Sequence, residues 1–140
     1  MAKYTAIVLS AGKGSRMGSS VHKQYLLLCG RPVIYYTLKA FEESPVDEIV
    51  LVTGEGEEEY CRKEIVEKYK LHKVTKIVKG GKERYHSVFQ GLSACEHTDY
   101  VLIHDGARPF IGQEVIRHTM DEVQKKHCSC AGEGYHKKGR

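Results

Sequence analysis

Four short apolar runs, each followed by a stretch with helical spacing, constrain this chain of 140 residues more than any other feature. Tyr4 to Leu9 is continuously apolar, with β-branched and aromatic character and no polar alternation, as a parallel strand buried on both faces requires. Asp47 to Thr53 repeats that pattern as a second buried strand, and Lys73 to Val78 and Asp99 to His104 read as the third and fourth strands. Between them, Ile34, Leu38 and Phe41 recur at i, i+4 and i+7 behind Pro32, predicting a helix that runs to about Glu43 and is stopped by Pro45. Glu55-Gly-Glu-Glu-Glu-Tyr60 opens a second helix to about Tyr69, with carboxylates where the helix dipole favours them. A third helix is predicted from Glu83 to Cys95, with Val88, Leu92 and Cys95 on one face. A fourth ends near Lys126, with Val115, Met120 and Val123 approximately in phase. Strand alternating with helix calls for an α/β fold, a mostly parallel sheet with right-handed crossovers and helices on both faces. Ligands of such sheets sit beyond the carboxyl ends of the strands, where the loops at 10–23, 80–84 and 105–108 fall.

Composition narrows the classes of function. With 41% hydrophobic and 29% charged residues the chain reads as one ordinary soluble domain. No apolar run approaches the ~18 residues of a spanning helix, and the amino terminus carries no convincing secretory cleavage pattern, so no membrane partner is expected. The formal net charge is only +4, with Lys and Arg interleaved with Glu, which argues against nucleic acid and for small acidic ligands. Five cysteines without C-x-x-C spacing point to reduced thiols and a cytoplasmic location. His127, Cys128, Cys130 and His136 match no standard zinc spacing. Adjacent residues at a strand end point to opposite faces, so His104 and Asp105 are better read as a structural histidine and a separate carboxylate than as a metal pair.

Chemistry is concentrated in Ser10-Ala-Gly-Lys-Gly-Ser-Arg-Met-Gly-Ser-Ser-Val-His-Lys-Gln-Tyr25, directly after the first run. Gly12, Gly14 and Gly18 let the backbone approach a ligand closely, and Lys13, Arg16 and Lys23 supply positive charge. These are the properties of a polyphosphate cradle. A dinucleotide fingerprint would need a third glycine where Met17 stands, and the P-loop spacing does not occur.

A third reading comes from the order of four segments. Ala-Gly-Lys-Gly-Ser-Arg-Met-Gly18, Lys23-Gln-Tyr25, Gly80-Gly-Lys-Glu-Arg-Tyr-His-Ser87 and His104-Asp-Gly-Ala-Arg-Pro109 together resemble the 2-C-methyl-D-erythritol 4-phosphate cytidylyltransferases over about residues 4 to 132. The resemblance implies a Rossmann-like, three-layer nucleotidyltransferase fold, and an enzyme that transfers CMP from CTP to 2-C-methyl-D-erythritol 4-phosphate with loss of pyrophosphate, in isoprenoid precursor synthesis. It assigns the catalytic cations to Arg16 and Lys23. Nucleotide binding falls to Leu9, Ser10, Ala11, Gly12 and Gly14 at the phosphates, to Gly81, Lys82, Glu83, Arg84, Tyr85, His86 and Ser87 at the cytosine, and to Asp105 and Ala107. Arg108 matches a position near the substrate phosphate. Mg2+ is implied with CTP, held mainly by the triphosphate, with Asp105 as the protein's carboxylate. A sugar-alcohol phosphate is the implied second partner, and a homodimer the implied assembly.

Departures from the family pattern carry further expectations. His22 stands where the family usually has Pro before the Lys-Gln pair, which frees φ and loosens the placement of Lys23. Lys82 stands where some members carry a carboxylate. Family members extend well beyond this length, into a dimerisation arm and acceptor contacts. The reading is therefore a nucleotide-binding domain over 1–132, incomplete at its carboxyl end, with a divergent polar tail over 133–140 of the kind a frameshift or truncated gene produces. Ribitol-5-phosphate cytidylyltransferase activity, or an inactive CTP-binding remnant, are the alternatives.

Overall fold

The computed structural model describes residues 2–10, 27–108 and 110–126. Its centre is strand β1 (Tyr4–Ser10), in which Thr5 to Ser10 are all buried. A two-residue strand pair, β2 (Leu27–Leu28) and β3 (Arg31–Pro32), precedes helix α1 (Val33–Glu42). Strand β4 (Glu48–Thr53), helix α2 (Glu58–Cys61), strand β5 (Val74–Lys79), helix α3 (Arg84–Ala94), strand β6 (Tyr100–Asp105) and helix α4 (Gln113–Lys126) follow. The four long strands form one parallel sheet in the order β5-β4-β1-β6. Chain order reverses between β1 and β6, which makes their carboxyl ends the topological switch point where ligands of open α/β sheets bind.

Alternation along each strand sorts the core onto two faces. Ala6 and Val8 of β1, Ile49 and Leu51 of β4 and Leu102 of β6 face one side. There they meet Ile34, Leu38 and Phe41 of α1, Cys61 of α2 and Ile116 and Met120 of α4. Ile7, Leu9, Val50 and Val52 face the other side, under α3. The predicted apolar stripe of α1 is the observed one.

Three expectations change. The second helix does not start at Glu55, because Gly56 takes a positive φ of 82° in a turn, and α2 begins at Glu58. It then widens into a π-helical stretch, Arg62–Glu67, and closes in a C-terminal cap in which Lys70, at a φ of 55°, donates to Glu67 O and Leu71 donates to Val66 O. On α3 the residues buried against the sheet are Ser87 and Gly91, flanked by Val88 and Cys95, whereas Leu92 is 44% exposed. The cause is close approach: a Cβ on Gly91 would lie 2.7 Å from Ile7 Cγ2 and 3.1 Å from Val52 Cγ2, so only small residues fit that line of contact. On α4, Ile116 and Met120 carry the burial, and Val115 is 42% exposed.

Candidate functional site

The site is assembled from strand ends. Leu9 pairs in register with Asp105, so the chain leaving β1 at Ser10 and the chain leaving β6 at Asp105 start side by side. Gly106 locks the two together, donating its N–H to Leu9 O at 2.7 Å and accepting from Thr37 Oγ1 of α1 at 2.9 Å. A Cβ there would stand 3.0 Å from Leu9 O and 3.4 Å from both Ile34 Cδ1 and Ser10 Cβ, which explains the glycine. Asp105 Oδ1 accepts from Ala107 N–H at 3.2 Å, and Arg108 N–H reaches Asp105 O at 3.1 Å. The four residues from Asp105 to Arg108 thus form a tight loop, with Arg108 exposed at its end.

His104 lies beneath that loop on the core face of β6, opposite in direction to Asp105, as strand alternation predicts. Its ring packs edge-on against Phe41, centroids 5.5 Å apart, and its Nε2–H donates to Arg108 O at 3.1 Å. Burial pushes the imidazole below its ordinary value; the Arg108 carbonyl bond and the charge of Asp105 pull the other way without cancelling it.

The second predicted segment folds at the opposite edge of the sheet, where α3 begins. Gly80 N–H donates to Thr53 O at 2.8 Å, tying the turn to the end of β4. Gly81 N–H donates to Ser87 Oγ at 3.2 Å, and a Cβ on Gly81 would fall 2.2 Å from His86 Cβ. Glu83 and His86 close a reciprocal capping box: Glu83 N–H donates to His86 Nδ1 at 3.2 Å, and the Glu83 side chain accepts from His86 N–H. Gly81, Glu83, His86 and Ser87 therefore hold one another in shape, while Lys82, Arg84 and Tyr85 are exposed. Two strands, β4 and β1, separate this segment from the 105–108 loop, roughly 14 Å at the usual strand spacing. Both flank the end of β1.

Ala11, Gly12, Gly14, Arg16, Gly18, His22 and Lys23 lie outside the described residues. So do His127, Cys128, Cys130 and His136, and the tail over 133–140. What the structure does describe is the frame at either end of residues 11–26. One end is Ser10. The other is the β2–β3 hairpin, whose Cys29 and Gly30 have φ of 55° and 82°, the positive pair that a two-residue hairpin turn uses. Tyr36 of α1 donates its hydroxyl to Leu28 O at 2.5 Å, fixing the hairpin to the helix. Tyr36 and Thr37 are site-framing residues that sequence reasoning missed. For Thr37 the signal was a polar residue bordering the apolar stripe, three residues after Ile34.

Among the described residues, no group of three or more His, Cys, Asp or Glu could hold a metal ion. Asp105 is a carboxylate at the switch point, with one oxygen engaged by Ala107.

A parallel sheet of this order, with the 80–87 and 105–108 segments at the carboxyl ends of its strands, is a Rossmann-like α/β domain, the fold of the nucleotidyltransferases it is compared with below. The family model for IspD, 2-C-methyl-D-erythritol 4-phosphate cytidylyltransferase, matches residues 4–132, and the chain belongs to that family. A relative of that name from Lachnoclostridium phytofermentans is 52% identical over 132 residues, 94% of this chain and 57% of the relative. One from Lachnospira eligens is 54% identical over 120 residues, 85% of this chain and 52% of the relative. The crystal structure of 4-diphosphocytidyl-2C-methyl-D-erythritol synthase from Anaerococcus prevotii matches with a TM-score of 0.73 at 32% identity, covering 89% of this chain and 52% of that one. The chain spans about half the length of the curated relatives it matches. No described helix is long and apolar enough to cross a membrane.

Proposed function

We propose that this chain provides the CTP site of a cytidylyltransferase that transfers CMP from CTP to 2-C-methyl-D-erythritol 4-phosphate. The observation that carries the reading is the meeting of β1 and β6 at the switch point, where a glycine-rich, cationic segment leaves Ser10 beside the Asp105–Arg108 loop, within a family match over 4–132. An oxygen of the acceptor's phosphate monoester attacks the α-phosphorus of CTP; the bond to the β-phosphate breaks, and its electrons leave with pyrophosphate. Little covalent work falls to the protein in such a step, and positioning and charge neutralisation dominate.

In this reading the backbone of Leu9, Ser10, Ala11, Gly12 and Gly14 wraps the triphosphate, and Arg16 and Lys23 neutralise charge growing on the α-phosphoryl oxygens. Gly81 to Ser87 read the cytosine, Asp105 and Ala107 lie at the ribose side, and Arg108 holds the acceptor's phosphate. Mg2+, when bound with CTP, supplies further neutralisation of the triphosphate, with Asp105 its protein ligand. The remaining expectations are a cytoplasmic reaction and a domain bounded at about residue 132.

Calorimetric titration with CTP and magnesium, followed by pyrophosphate release with each sugar phosphate, tests the proposal. The expected result is saturable CTP binding, and turnover with methylerythritol phosphate in preference to ribitol 5-phosphate. Lys23→Ala is expected to cut turnover by about 100-fold or more while the fold persists. Absence of CTP binding overturns the site assignment; binding without pyrophosphate release from either acceptor reduces the chain to a nucleotide-holding domain.

A further inference from the structure

We propose that His104 is a positioning residue of this site: by donating its Nε2–H to the Arg108 carbonyl it fixes the far end of the Asp105–Arg108 loop and so sets where Arg108 stands. The proposal rests on the reading of Arg108 as the residue that holds the acceptor's phosphate.

The His104 imidazole occupies an apolar place. On β6 the residue two before it on the same face is Leu102, which is buried in the core with Ala6 and Val8, and the ring's neighbour is Phe41, 1% exposed. Burying a polar ring at such a position costs stability unless its polar atoms are bonded, and an aliphatic residue would fill the space without that cost. What histidine adds is the bond of 3.1 Å to Arg108 O. Phe41 fixes the ring's orientation, because the imidazole cannot swing without displacing a residue packed into the α1 stripe.

The other end of the loop is anchored separately. Gly106 is bonded to Leu9 O of β1 and to Thr37 of α1. Within the loop, Ala107 and Arg108 donate back to Asp105. His104 therefore carries the fixed geometry of the sheet and α1 past Asp105 to Arg108, as Thr37 carries it to Gly106. Arg108 is exposed, and a long exposed side chain delivers its guanidinium to one place only when its backbone is held.

The test compares the full chain with His104→Leu, which keeps the bulk but cannot donate, and His104→Gln, whose terminal amide can donate from nearly the same place. In pyrophosphate release, His104→Leu is expected to raise KM for methylerythritol phosphate about tenfold, the scale of one hydrogen bond, with kcat and the KM for CTP within about twofold. His104→Gln is expected to recover most of that loss. Equal effects of the two substitutions, or an unchanged acceptor KM in His104→Leu, overturn the proposal. If the wild-type chain shows no turnover, the proposed function has failed, and amide hydrogen exchange decides this inference instead. Faster exchange at Ala107 and Arg108 in His104→Leu but not in His104→Gln supports it, and the same rates in all three proteins overturn it. Should His104→Leu fail to fold, His104→Met serves as the non-donating variant.

Discussion

The two faces of the sheet are built differently. On one, α1, α2 and α4 cover the strands with large side chains, and Ile34, Leu38, Phe41, Cys61, Ile65 and Ile116 are at most 1% exposed. On the other, α3 is the one helix among the described residues that covers Ile7, Leu9, Val50 and Val52, and it does so with small residues, Ser87 and Gly91, at the line of contact. Its large apolar residues, Tyr85, Phe89 and Leu92, are 68%, 64% and 44% exposed. The first face gains stability from volume, the second from closeness. Both meet at the site, since α1 holds the 105–108 loop through Thr37 and Phe41, and the first turns of α3 form the 81–87 segment.

The largest effect that would separate the faces is Phe41→Ala. Removing a fully buried ring from the thick face should cost about 3–5 kcal/mol in denaturant unfolding. Next comes Gly91→Val, which pushes a branched side chain into Ile7 and Val52; a loss of about 2–3 kcal/mol is expected, read as a lower denaturation midpoint. An unchanged midpoint would mean that α3 is not seated closely on the sheet.

A pH effect should follow from His104, on the first face. Because burial holds its folded pKa below the ordinary value of 6.5, the unfolded chain takes up a proton first on acidification. This contribution to stability is complete above about pH 6.5 and is lost as pH falls from there toward the folded pKa. Unfolding midpoints of the wild type and His104→Gln should therefore converge on acidification through that window; parallel pH profiles would refute it. The smallest effect is Phe89→Ala on α3, within about ±0.5 kcal/mol for an exposed position. A cost near that of Phe41→Ala would show that the stripe is covered in solution.

A good part of this was legible in the residues. The four strands and their carboxyl-end loops could be read because buried parallel strands are continuous apolar runs, and the α1 stripe because Ile34, Leu38 and Phe41 are large and in phase. The burial of α3 was misread for a physical reason: periodicity of large apolar residues marks the inward face only when the helix stands at ordinary distance, and Gly91 brings this one closer. The widened turn after Cys61 has no periodic mark at all, since π-helical bonding is a matter of which carbonyl each N–H reaches. The framing roles of Thr37 and Tyr36 were not legible because their partners, Gly106 O and Leu28 O, are backbone atoms that no side-chain pattern reveals.

By itself the sequence determined the fold class, the strand ends that bear the loops, and the family, because each depends on residue type and order along the chain. Tertiary structure decided what depends on distance across it. Strand order brought Leu9 beside Asp105, close packing chose Gly91 and Ser87 for the sheet side of α3, and the edge of Phe41 turned His104 toward Arg108. Contacts between residues far apart in sequence leave no periodic trace, since each is fixed by where two elements dock and not by the spacing within either.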